Sequence, residues 1–134
     1  MNITYPDHYQ RLQKLSGKLA RELRSPMSAF AQLNAAATAE GALSTKIKQL
    51  IALGIGVTVR CDGCIAYHVH DAIRAGATRQ EIMETIGMAI LMGGGPAMVY
   101  GCEALEALEQ FEASELSSAA AAQEAHTGSA KPSA

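Results

Sequence analysis

The sequence has 134 residues and a mass of 14.1 kDa, is 49% hydrophobic and 18% charged, and carries a formal net charge of −2. That length suits one domain, since single cores commonly need roughly 100–150 residues. The near-zero charge excludes a general nucleic-acid binder, which needs a basic footprint to displace counterions. Charge is nevertheless divided along the chain: residues 1–60 hold eight Lys/Arg against three Asp/Glu, and residues 61–134 hold three against ten. Such halves can pair within a domain or between subunits, or they can simply be two solvated faces.

Read in order, the chain is helical throughout. Leu12, Leu15, Leu19 and Leu23 recur at helical spacing among Arg11, Lys14, Lys18 and Arg21, predicting an amphipathic first helix from about Pro6 to Leu23. Ser25-Pro26 reads as an N-cap followed by proline at the first helical position, with Gly41 as the stop. Ser44 opens a third helix to about Val59. Its second half, Gly54 to Val59, has strand propensity, but no second alternating strand exists to pair with it. A fourth helix runs from about Cys61 to Ala75 and stops at Gly76. Thr78-Arg79-Gln80-Glu81 is a capping box that starts a fifth, ending at Gly93-Gly94-Gly95. That glycine run follows a helix and lacks phosphate-loop spacing, so it reads as a tight turn with close backbone packing.

Pro96 restarts a sixth helix through Phe111, with Cys102 on its apolar side, where it should be buried and unreactive. Glu103, Glu106, Glu109 and Glu112 lie on the other side as a solvated face. Between Ser114 and Ala134 only Leu116 is large and apolar, so this tail should be disordered or weakly helical. The expected architecture is an all-α bundle of six helices over residues 1–113, with 114–134 a flexible tail.

Thr85 to Cys102 carries no charge over 18 residues, yet the glycine run and Pro96 cut it into pieces too short to span a bilayer. So much two-sided apolar surface in a small domain points to burial against a second copy. The polar N-terminus lacks a signal-peptide pattern, and three cysteines make no disulfide framework, so the expected location is the cytoplasm, without membrane or nucleic-acid partners.

Chemistry concentrates between Arg60 and Asp71. On a helix, Cys61, Cys64, His68 and Asp71 share a face, while His70 falls opposite and reads as a packing residue. Cys-x-x-Cys spacing lets the sulfurs form a disulfide within one turn, and a helix N-terminus favours a thiolate, as does Arg60; Asp62 opposes it. His68, four residues after Cys64, is placed to take the thiol proton directly or through one water. The expected chemistry is a dithiol redox centre: Cys64 attacks an oxidant such as a peroxide, and Cys61 condenses with the sulfenic acid. Asp71 either orients the His68 ring or is a plain surface carboxylate. Two bland alternatives compete. The cysteines and His68 can be part of a zinc site needing a fourth ligand from elsewhere, or both cysteines can be inert core residues.

Taken together, Leu50-Ile51-Ala52-Leu53, Cys61-x-x-Cys64-x-x-x-His68, Gly76-Ala77-Thr78-x-x-Glu81-Ile82 and Gly93-Gly94-Gly95-Pro96-Ala97 resemble the carboxymuconolactone decarboxylase family. Within it they look most like the alkyl hydroperoxidase D-like branch, over roughly Leu43 to Leu108. The resemblance implies an all-α fold, a trimer or hexamer, and thiol-dependent peroxidase or disulfide-reductase activity. It also implies a hydroperoxide or small disulfide as substrate, an external thiol reductant, and no cofactor. Members of this branch often carry a glutamate twelve positions before the first cysteine and a histidine just before the second; here these are Gln49 and Gly63. Glutamine hydrogen-bonds but accepts no proton at neutral pH, so the resemblance implies that His68 carries more of the proton transfer. Two other readings remain: a decarboxylase or lactone-handling enzyme in which the cysteines are incidental, and a non-catalytic redox- or zinc-responsive oligomer.

Overall fold

A computed structural model describes residues 3–127. Six helices follow one another: α1 (Tyr5–Glu22), α2 (Arg24–Thr38), α3 (Thr45–Thr58), α4 (Asp62–Arg74), α5 (Arg79–Gly93) and α6 (Gly95–Thr127). No strand occurs among the described residues, and the Gly54–Val59 stretch is helical. Helix α3 packs against both α4 and α5; α6 lies across α5 and α4; α1 closes the bundle against α4 and α6, while α2 packs on α1 and α3. The core is built from Leu53, Val57, Ile65, Val69, Ile82 and Leu108, each fully or almost fully buried. Among the described residues, no helix is long and apolar enough to cross a membrane.

Helix starts follow local side-chain chemistry. Thr4, Ser44 and Thr78 each turn a hydroxyl onto a free first-turn N–H, and Thr78 completes the expected capping box with Glu81. The second helix departs from the sequence reading. It begins at Arg24 with Leu23 as an N-cap that makes no side-chain bond, and it ends at Thr38 rather than Gly41. Ser25 and Pro26 therefore sit inside the first turn, where a missing proline N–H costs nothing because first-turn N–H groups have no helical partner.

Between α5 and α6, Gly94 adopts φ 69°, a left-handed conformation glycine takes without steric cost. The buried stripe of α6 is made largely of small residues, Ala97, Gly101, Ala104 and Ala107, which allow close helix approach, with Leu108 and Phe111 following. Beyond Phe111 the helix runs on to Thr127 with no buried side chain, so the segment expected to be disordered or weakly helical is an uncovered helical extension that far. Residues 128–134 lie outside the described residues.

Candidate active site

Cys61 is the N-cap of α4, with extended backbone, and its Sγ accepts the N–H of Cys64 at 3.1 Å. The two cysteines are joined by a disulfide with Cα atoms 5.2 Å apart. Both are half-buried. Directly behind them stands Gly56 of α3, where an added Cβ would lie 3.1 Å from Cys64 Cβ. Glycine at this position lets α3 press against the sulfur pair. On the other flank a side chain at Gly63 would meet Leu12 of α1 at 3.1 Å, so this backbone is fitted closely to α1.

His68 lies one turn beyond Cys64. Its Nδ1 is 2.8 Å from Oε1 of Gln49 on α3. An amide oxygen only accepts, so the ring donates from Nδ1 and Nε2 carries the lone pair. Gln49 is 7% exposed and is the buried polar residue of the described core. Burial holds the His68 pKa below its ordinary value, and the negative charge of Asp71 opposes this less strongly. The ring is thus held through Nδ1, and among the described residues no hydrogen-bond partner meets Nε2.

Asp71 does not orient that ring. Its Oδ1 bonds Nδ1 of His70 at 2.9 Å, and His70 stacks on Tyr9 with ring centroids 4.1 Å apart, the packing role expected for it. Gln49 takes the place Asp71 was considered for. The pairing spans 19 residues and two helices, so periodicity within α4 could not reveal it; the one sequence signal was the resemblance that singled out position 49.

The glutamates of α6 are less idle than a solvated face. Tyr5 donates its hydroxyl to Glu103 Oε2 at 3.3 Å, and Arg79 pairs with Glu112 at 2.7 Å and Glu109 at 3.5 Å. Burial, and then a hydrogen bond and charge from the carboxyl group of Asp62, raise the Glu103 pKa. Burial also lifts the Tyr5 hydroxyl well above its usual range. Cys102 is a further correction: it is exposed, because Gly101 and Ala104 take the buried side of α6. Among the described residues, no three His, Cys, Asp or Glu side chains are grouped to hold a metal ion.

Comparison with known proteins converges on one family. The carboxymuconolactone decarboxylase family profile matches residues 26–107. An uncharacterised protein of Cupriavidus necator is 39% identical over 66% of this chain and 79% of its own length. One from Haemophilus influenzae is 35% identical over 80% of this chain and 95% of its own. Among solved structures, the apo form of a carboxymuconolactone decarboxylase family protein from Legionella pneumophila superposes with a TM-score of 0.77 at 41% identity, covering 80% of this chain and 96% of that one. A second, from Thermotoga maritima, has a TM-score of 0.65 at 30% identity, covering 69% and 95%; an involvement in antioxidative response has been suggested for it.

Proposed function

The chain belongs to the carboxymuconolactone decarboxylase family, and from that premise we propose that it is a cytoplasmic thiol-dependent oxidoreductase of the alkyl hydroperoxidase D-like kind, reducing hydroperoxides or small disulfides. The observation that carries this reading is the Cys61–Cys64 disulfide at the start of α4, one turn from an imidazole whose Nε2 is left free by Gln49. The antioxidative role suggested for the Thermotoga relative agrees with it.

In the reduced protein, His68 Nε2 takes the proton of the Cys64 thiol, and the helix N-terminus stabilises the thiolate. The thiolate attacks the distal peroxide oxygen. The O–O bond breaks, the alkoxide leaves as the alcohol with the proton held on His68, and Cys64 becomes a sulfenic acid. Cys61 then attacks that sulfur, forming the disulfide and releasing water. An external thiol reductant returns two electrons and two protons by exchange. Gln49 binds no proton, so its part is to hold the ring.

The chain acts as a trimer or hexamer in this reading. A groove of about 550 Å³ between α3 and α5 is lined by apolar residues including Ile47, Ile51, Ile55, Met88 and Met92, and α2 buries no residue at all. Apolar surface on this scale is a mark of association.

Added peroxide should oxidise the reduced protein to a form two hydrogens lighter by intact mass, with Cys61 and Cys64 linked. Cys64→Ser should abolish peroxide consumption. A Cys61→Ser/Cys64→Ser double variant with full turnover of a lactone acid would instead establish the decarboxylase reading, and stoichiometric zinc on unreactive thiols the binding-module reading.

A further inference from the structure

Arg60 is the one non-glycine residue with positive φ among the described residues, at 59°. It sits at the end of α3, where Cys61 N–H bonds Gly56 C=O at 3.1 Å and Arg60 N–H bonds Val57 C=O at 3.2 Å. That is the helix-ending motif whose left-handed position is ordinarily glycine. The chain makes the same ending at α4. There Ala77 N–H bonds Ala72 C=O, Gly76 N–H bonds Ile73 C=O, and the left-handed residue is Gly76, at φ 90°. One ending therefore has the unstrained residue, and the other, directly before the redox cysteine, carries an arginine against its backbone preference. Strain kept at a site is a pointer to what the side chain does there.

The guanidinium is free to act. Arg60 is exposed, and among the described residues no carboxylate pairs with it. An unpaired cation one residue from Cys61 offers a planar fork to a carboxylate on an incoming molecule. We propose, building on the dithiol reading, that Arg60 is the specificity-determining residue of the site and selects oxidants that carry a carboxylate.

The test uses the reduced protein in a Cys102→Ser background, because Cys102 is itself exposed. Two probes are compared: dithiobis(nitrobenzoate), which carries two carboxylates, and dithiodipyridine, which carries none. With either, the Cys64 thiolate attacks a reagent sulfur and expels one aryl thiolate. Cys61 then displaces the protein-bound aryl thiolate, closing the Cys61–Cys64 disulfide and passing two electrons to the reagent. The ratio of the two rates should fall about tenfold in Arg60→Gly and be largely kept in Arg60→Lys. High salt should erase the wild-type preference. Glycine accepts φ 59° freely, so Arg60→Gly should also unfold at a higher temperature than wild type.

An unchanged rate ratio in Arg60→Gly, with both probes still closing the disulfide, overturns the role of Arg60 and leaves the dithiol reading standing. A reduced wild type inert to both probes overturns the dithiol reading and this assignment with it.

Discussion

Helix α3 has two sides that both carry large apolar residues and meet opposite fates. Toward α4 it buries Leu53, Gly56, Val57 and Gln49. On the other side Ile51 remains 47% exposed, Ile55 58% and Val59 62%. The inner side is closed by the chain itself, with a glycine for close approach and an amide for one hydrogen bond, and the chemistry sits in that seam. The outer side offers only hydrocarbon. Apolar content alone does not distinguish the two. What separates them is whether a complementary helix of the same chain stands opposite.

Breaking the seam should cost far more than altering the outer side. Cys64→Ser stands at the top, with complete loss of peroxide turnover in a peroxidase assay. His68→Ala should slow the reaction by about 10²–10⁴-fold, the usual contribution of a positioned acid–base group. Leu53→Ala removes a fully buried side chain and should destabilise the fold by about 2–5 kcal/mol in denaturant unfolding.

Proton linkage sharpens the contrast further. Burial lowers the His68 pKa in the folded protein, so the unfolded chain binds the proton more readily. The stability tied to this group should be fully present above about pH 6.5, its ordinary value, and should be lost as pH falls from there through the lowered folded pKa. Thermal midpoints against pH in wild type and His68→Ala would show that slope present and then absent. Gln49→Glu would place a carboxylate on Nδ1 and move the His68 titration upward, readable by NMR. Smallest of all, Ile55→Ala on the outer side should change the stability of the isolated chain by no more than about 0.5 kcal/mol. Its effect should appear in sedimentation as weaker self-association.

Much of this arrangement is legible in the sequence. The leucine spacing of α1, the capping box at Thr78 and the glycine run before α6 place the helices, and the shared face of Cys61, Cys64 and His68 needs only the helical period. What escapes is tertiary. Whether Gln49 or Asp71 meets His68 depends on how α3 crosses α4. The apolar residues around Cys102 point it inside, but the buried stripe of α6 is set by small residues that admit α5 closely, leaving larger Met98 and Val99 exposed. The serine–proline pair at the start of α2 fits an N-cap, yet such a pair is equally tolerated within the first turn. The left-handed backbone at Arg60 leaves no trace in residue type, since arginine is no signal for it.

One consequence reaches beyond electron transfer. The sulfur of Cys61 accepts the Cys64 amide in the disulfide form. After reduction the Cys64 thiolate brings a full negative charge to the same helix start, where the free first-turn N–H groups and the helix dipole favour an anion. The leading turn of α4 is thereby wound more firmly in the electron-rich protein than in the spent one. Deuterium uptake at the Cys64 amide should slow when the pair is reduced, giving a downstream reductant two states of one helix end to tell apart.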